Sequence, residues 1–264
     1  MGGAVISVGE MVRDWRELRR LSQLDLAVEA EISQKHLSFI ESGRSAPSRE
    51  MLLHLAEHLE VPLRERNAML LAAGFAPVFP NRPLHDPSLA LAKASVERVL
   101  NAHEPFPALA FDRHWNLVSA NQAVWSLLGN VSEHLLQPPV NVLRVSLHPD
   151  GLAPYIANLS QWRAHLLSQL RRQLRITRDA ALETLLKELN AYPSPPSDDS
   201  GGEESIPVDA IAIPLRLRTP SGTLSFISTV TVFGTALEVT LSELTMEAFY
   251  PADEFTKAAL SEQR

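Results

Sequence analysis

Residues 31–48 read EISQKHLSFIESGRSAPS. The segment has too little aliphatic surface for a core helix and too many ordering signals for a loop. Ser33 stands where a helix N-cap accepts an orphan amide, and Leu37 and Ile40 then point inward at i and i+3. Gln34, Lys35, Ser38, Phe39 and Ser42 spread over the outer side, so that face is short, polar and rich in donors. Such a helix suits the major groove, where glutamine binds adenine at two points and lysine donates to guanine. Phe39 has a thymine methyl or a sugar edge as its counterpart.

Working outward, the flanks supply the rest of a small helical module. Upstream, Ser7 and Glu10 have capping-box spacing, and Met11, Trp15 and Leu18 are predicted to share one helical face. A break at Leu21 and Ser22 precedes QLDLAVEA, so residues 22–44 read as a helix-turn-helix. Gln23 opens the first of its helices, where a side-chain amide and a helix N-terminus suit a phosphate. Arg44 and Arg49 are placed to neutralise others; these contacts position the protein, while Gln34, Lys35 and Ser38 read sequence. Downstream, Leu52, Leu55, Ala56 and Leu59 form an inward stripe, Pro62 opens a fifth helix and Gly74 closes it.

The charge balance limits how such a module holds DNA. Residues 1–75 carry nine Lys/Arg against eleven Asp/Glu, and the whole chain has a net charge of -7. A general polyanion binder presents a basic face, so any DNA contact here is local. His54, Glu57 and His58 in HLAEH match the His-x-x-Glu-His zinc-peptidase spacing. The same helix buries Leu52, Leu55 and Leu59, which turns those three outward, and a catalytic zinc needs a third ligand in a sheltered cleft. No metal is expected there. Glycine loops for phosphates and a Gly-x-Ser-x-Gly elbow are both missing from the sequence, so no cofactor and no enzyme activity are implied.

After FAPVFPNRPLHDPS, a proline-rich boundary, the pattern changes. ALAFDRHWNLVSANQAVWSLLG gives two short apolar runs about a turn at Asp112 and Arg113, then a helix from Asn121. Helices are predicted at about 138–147 and 155–190, followed by a loop in YPSPPSDDSGGEES. Alternation then begins at Ile211, Ile213, Leu215 and Leu217. TPSG is a hairpin turn, and TLSFISTVTVF, a GT turn and ALEVTLSEL supply two more strands. Pro214 marks the first of these strands as an edge. An antiparallel meander with helices makes an α+β domain. The fold class is therefore α followed by α+β, with 7–75 as the helical module, 76–104 as linker and connecting helix, and 105–260 as the second domain.

With 264 residues, 45% of them apolar and 21% charged, the chain has room for two folded domains. It has no cysteine, which excludes disulfides, thiolate zinc sites and a cysteine nucleophile and is compatible with a reducing compartment. The start lacks a secretory signal and no long apolar span occurs, so a cytoplasmic protein without membrane association is expected.

Two resemblances sharpen these expectations. LSQLDLAVEAEISQKHLSFIESGRSAPSREMLLHLAEHLEVP resembles the Xre (Cro/repressor) helix-turn-helix family over nearly all of residues 9–73. By position, Gln23 looks like its phosphate-binding glutamine, and Gln34, Lys35 and Ser38 look like its base-facing residues. PALAFDRHWNLVSANQAVWSLLG, NVLRVSLHPDG and FISTVTVFGTALEVTLSELTMEAFYPAD resemble the ligand-binding domain of MmyB-like transcription regulators, over about 105–260. That resemblance implies a PAS-like fold and a pocket for an apolar ligand such as a fatty acid. Trp115, Trp125, Phe226, Val230 and Val232 are the apolar candidates for its wall, and Arg144 and Arg163 the candidates for pairing with a carboxylate.

The expected partners are a double-stranded, palindromic operator, a second copy of the chain and a small apolar molecule. The main alternative keeps DNA binding and gives the second domain only dimerisation or protein contact. A zinc hydrolase built on HLAEH is the other.

Overall fold

The computed structural model describes residues 6–193, 213–233 and 237–261. These fall into two units, one containing residues up to Pro83 together with 237–242, the other running from Leu84 to Phe233 and from Glu243 onward. The order of classes is α followed by α+β.

The first unit holds α1 (Val8–Leu18), α2 (Gln23–Glu29), α3 (Gln34–Glu41), α4 (Arg49–His58) and α5 (Leu63–Ala72). Helices this short are marginal alone, and four of the five begin with a serine whose side chain accepts a backbone amide. Ser7 with Glu10 and Ser22 with Asp25 form full capping boxes. Each serine cap contributes about 0.5–2 kcal/mol. The helices share one core that includes Val12, Leu26, Leu37, Leu55 and Leu59.

On α1 the inward face differs from the Met11–Trp15–Leu18 stripe expected. Val12, Trp15 and Arg16 are buried, while Leu18 is 38% exposed. The reason is the close approach of α3 at Gly9, where an added Cβ would collide with the Ile40 and Glu41 carbonyl oxygens. That contact turns the stripe of Gly9, Val12 and Arg16 toward α3.

Gly74, at φ 83, ends α5 in a left-handed conformation that glycine favours. The proline-rich stretch after it has no helix or strand before Pro87. The Asn67 side chain nevertheless holds it, donating to the Phe79 carbonyl at 2.7 Å and accepting the Val78 and Phe79 amides at 3.0 and 3.1 Å.

Residues 237–242 also belong to this unit and carry the one-turn helix α11 (Val239–Ser242). Here the expected strand in ALEVTLSEL is corrected. The buried Glu238 carboxylate accepts the Leu241 amide at 2.8 Å, as a helix cap does, and the Arg82 amide at 2.8 Å. Val239 donates its amide to the Pro80 carbonyl. These bonds take the amides a sheet ladder would need, and the strand starts later, at Thr245. The GT turn lies outside the described residues.

The second unit contains α6 (Ala90–Asn101), β1 (Ala108–Phe111), β2 (Leu117–Ala120), α7 (Gln122–Leu127), α8 (Val142–Leu147), α9 (Leu159–Thr177), α10 (Ala180–Ala191), β3 (Leu215–Thr219), β4 (Gly222–Val232), β5 (Thr245–Pro251) and α12 (Glu254–Ser261). The five strands form one sheet in the order β2-β1-β5-β4-β3, and all its pairings are antiparallel. β3 is an edge strand that starts directly after Pro214, and Thr219 faces Gly222 across the TPSG hairpin.

Against one sheet face α6 packs Val96 and Leu100 onto Ala108, Ala110 and Met246. The other face, bearing Phe226 and Phe249, meets Leu143, Trp162, Leu166 and Leu170 from α8 and α9. Buried Asn121 ties the layers together: it caps α7, accepts the Ala108 amide and donates to the Leu100 and Phe106 carbonyls.

The single helix expected over 155–190 is two. Arg178 adopts φ 49, and Asp179 then caps α10. Ile211, and the acidic proline-rich loop from 194 onward, lie outside the described residues.

Candidate functional site

Two places in the molecule gather chemistry. The first is the outer side of α3. Leu37 and Ile40 are buried beneath it, and Gln34 and Lys35 are exposed above. Lys35 and Arg44 each bring their charge to the Phe39 ring, at 5.6 and 5.8 Å from its centroid. Among the described residues Lys35, Arg44 and Arg49 form no ion pair, whereas Arg13, Arg16 and Arg19 on the same module are paired with Glu41, Glu17 or Glu60. Three cations without an ion pair thus border α3, although the module as a whole is not basic.

Glu41, at the inner end of α3, fixes the helix in place. Only 2% exposed, it takes a two-point contact from Arg16, at 2.7 and 2.9 Å, and a bond from the Gln23 amide at 2.8 Å. Arg16 also donates to the Leu21 carbonyl at 2.9 Å. One network therefore joins α1, the turn before α2, the first residue of α2 and the end of α3. Burial alone would push the Glu41 carboxyl up; the bonds from Arg16 and Gln23, with the charges of Arg16 and Arg13, outweigh it and hold the carboxyl below its ordinary range. Gln23, expected to contact a phosphate, gives one amide hydrogen to Glu41, which holds it at the helix start.

The small polar side chains on this helix are mostly used internally. Ser33 accepts the His36 amide at 3.1 Å, and the Ser42 hydroxyl donates to the Ser38 carbonyl at 2.7 Å. Ser38 is half-buried, and Arg49 is exposed at the first position of α4.

The second place is a cleft between the sheet and α7, α8 and α9, with a cavity of about 100 Å³. Its walls are almost wholly apolar, with Leu109, Val124, Leu128, Leu143, Trp162 and Phe249 prominent. Trp115 and Phe226 line it as well. Trp115 sits at φ 66 within the turn between β1 and β2, a conformation that a bulky residue rarely adopts. Its ring stacks on Phe111 at 4.7 Å and its Nε1 donates to Gln173 at 2.8 Å. Two polar side chains reach the lining. Ser146 accepts a bond from Trp162 Nε1 at 3.0 Å. Glu247, half-buried, meets Ser228, and its apolar surroundings push its carboxyl above the ordinary range despite that bond.

Residues 92–262 match the family described as MmyB-like transcription regulator ligand binding domain, and residues 12–66 match a helix-turn-helix family. The chain belongs to the MmyB-like transcription regulators. No curated protein matches it. The regulator's two matched domains are those of a ligand-responsive, DNA-binding transcription factor, and among its described residues no helix is long and apolar enough to cross a membrane.

Several expected ligand contacts of the regulator are displaced. Trp125 is 41% exposed and outside the lining, because Val124 and Leu128, one turn apart, take the inward side of α7. Val230 and Val232 share the sheet face of Phe226 but are 55% and 57% exposed, since β4 runs eleven residues, past the cover of the helices. Arg144 is bound at two points to Glu188, at 2.8 and 2.7 Å. Arg163 closes the end of α10, donating to the carbonyls of Leu189, Asn190, Tyr192 and Pro193. Neither arginine lines the cavity. Trp162, which the sequence reading passed over, does; its signal was the Leu159–Trp162–Leu166–Leu170 spacing of one helical stripe.

Two histidine groups bear on metal binding. His54 is not turned to solvent as expected: its Nε2 lies 2.8 Å from the Ala30 carbonyl, an acceptor, so that nitrogen carries the proton and is unavailable to a metal. His134, His148 and Asp150 place three possible ligand atoms within 4.8 Å of one another. However, His148 Nδ1 already accepts the Asp150 amide at 3.0 Å, and a metal on either of its nitrogens would have to displace that bond.

Proposed function

We propose that the regulator binds a palindromic DNA operator as a homodimer and changes its affinity for that operator when a small apolar molecule enters the cavity. The outer side of α3 lies in the major groove. Gln34, Lys35 and Ser38 read base edges, Phe39 lies against a thymine methyl, and Arg44, Arg49 and the α2 start at Gln23 meet phosphates. One observation carries the DNA half: Gln34 and Lys35 are exposed on a helix whose opposite side is clamped by the buried Glu41 network. The apolar cavity supports the ligand half and weighs against a second domain that only dimerises. A five-stranded antiparallel sheet with helices on it supports the PAS-like reading. A fatty acid has the apolar walls in its favour and the engagement of Arg144 and Arg163 against it. Two paired modules must present their recognition helices about 34–36 Å apart. This reading assigns the protein to the cytoplasm, where its operator is.

Chain continuity offers a route for the signal. β4 and β5 carry the cavity residues Phe226, Glu247 and Phe249, and the segment joining these two strands is built into the first unit through Glu238 and Val239. A ligand with different affinity for two arrangements of these strands shifts the population of DNA-competent dimers.

The test is selection of preferred duplexes from a random pool, with and without lipid extract, followed by variants. Lys35→Ala is expected to lose discrimination at its base pair, by about 1–3 kcal/mol, with little change at other positions. Arg44→Ala is expected to weaken all duplexes alike and lower the salt slope by about one. Unchanged sequence preference in Lys35→Ala would remove the base-reading assignment.

A further inference from the structure

The cavity contains one side chain that an apolar pocket has no packing use for. Glu247 on β5 stands in a cross-strand row between Leu109, which lines the cavity, and Val230, which is exposed. The row places its carboxyl where the apolar wall ends. Trp115, Leu117, Val140 and Leu143 form the wall beyond, and among the described residues no Lys, Arg or His lines the cavity. The two arginines nearest in sequence logic are held elsewhere, by Glu188 and by the α10 carbonyls.

A bound carboxylate would bring a second acidic group beside Glu247 with no cation to offset it. A like-charge pair in a water-poor site is strongly disfavoured, and sharing one proton still leaves a net negative charge in apolar surroundings. An ammonium group reverses this: it donates to the carboxylate, satisfies it, and leaves the pair neutral. Hydrocarbon attached to that head would lie against the indole and leucine wall. The size of the cavity, about 100 Å³, sets a further limit. A cavity of roughly 150 Å³ takes a benzene ring, so the site as it stands receives a short or compact apolar group.

We infer that the cavity selects a small apolar amine, with Glu247 as the residue that recognises its head. This deepens the proposed sensor role and rests on it. A neutral alcohol of the same chain ranks second, donating one hydrogen bond, and the carboxylic acid ranks last. Burial raises the Glu247 carboxyl in the unliganded protein, and a bound ammonium gives it the counter-charge it lacks.

The experiment uses the full-length protein and three matched probes short enough for the cavity: butylamine, butanol and butanoate. Binding is read by the fluorescence of Trp115 and Trp162, which line the cavity, and checked by calorimetry. Wild type is expected to bind butylamine at least about tenfold more tightly than butanoate, with butanol between. Glu247→Gln is expected to abolish that preference while its thermal melting shows a folded protein, and Val124→Trp, which fills the cavity, to weaken all three. Equal or tighter binding of butanoate by wild type overturns the inference, as does an amine preference that survives Glu247→Gln. Binding without head-group preference sinks the amine reading and leaves the sensor role standing. Failure of every probe, or binding unaffected by Val124→Trp, removes the cavity as a ligand site and the inference with it.

Discussion

At the scale of single residues, Glu41 shows how much a recognition helix depends on a side chain that never meets DNA. Its carboxylate is shared by Arg16 and Gln23, so one buried acid sets the position of α3 and the orientation of the glutamine at the start of α2. Glu41→Ala leaves the Arg16 guanidinium buried without its partner and is expected to destabilise the first unit by about 3–5 kcal/mol, read by chemical denaturation. Because the folded carboxyl lies below its ordinary value, the native state binds fewer protons than the unfolded chain. The clamp's contribution is complete above about pH 4.3, the unfolded value, and is lost as pH falls through the depressed folded one. Acid titration of stability in wild type and Glu41→Gln is expected to differ in that window. Sequence spacing revealed the outer residues of α3 but not this one. Glu41 is one residue past Ile40 and looks solvent-facing until Arg16, 25 positions away, is brought against it.

At the scale of elements, helix starts were legible because a serine N-cap, joined at Ser7 and Ser22 by an acid three residues on, is a local device that works in any context. Strand ends and helix breaks were not. ALEVTLSEL alternates like a strand, yet Glu238 caps a helical turn there by accepting the Leu241 amide, and its other oxygen accepts the Arg82 amide, 156 positions away. The helix predicted over 155–190 breaks at Arg178, which has no glycine or proline to announce it. The contact of α1 with α3 depends on Gly9, where a methyl group has no room against the Ile40 and Glu41 carbonyls. Gly9→Ala gains about 1 kcal/mol of helix propensity and loses about 1–3 to overpacking. Its net expected effect is a lower melting temperature and weaker operator binding. Gly129→Ala, where an added Cβ meets nothing within 4 Å, is the control and is expected to change neither.

For the whole molecule, residues 237–242, which lie between β4 and β5 in the chain, belong to the first unit. If they carry the ligand signal, Glu238→Ala is expected to leave cavity affinity unchanged while the ligand's effect on operator affinity shrinks toward none. A coupling of about 1–3 kcal/mol, or 5–150-fold, is the range to measure against, by titrating DNA with and without ligand. The sequence by itself determined the helical module, the outward residues of α3, the two-part architecture and an antiparallel second domain. Capping, periodicity and turn chemistry act between residues close in the chain, so they can be read along it. Only the tertiary structure decided that Arg144 and Arg163 are held by Glu188 and by the α10 carbonyls outside the cavity lining, that Val230 and Val232 lie outside it too, and that Glu247 lines it. Those outcomes depend on which distant group satisfies a charge and where the covering helices end, and no local pattern records either.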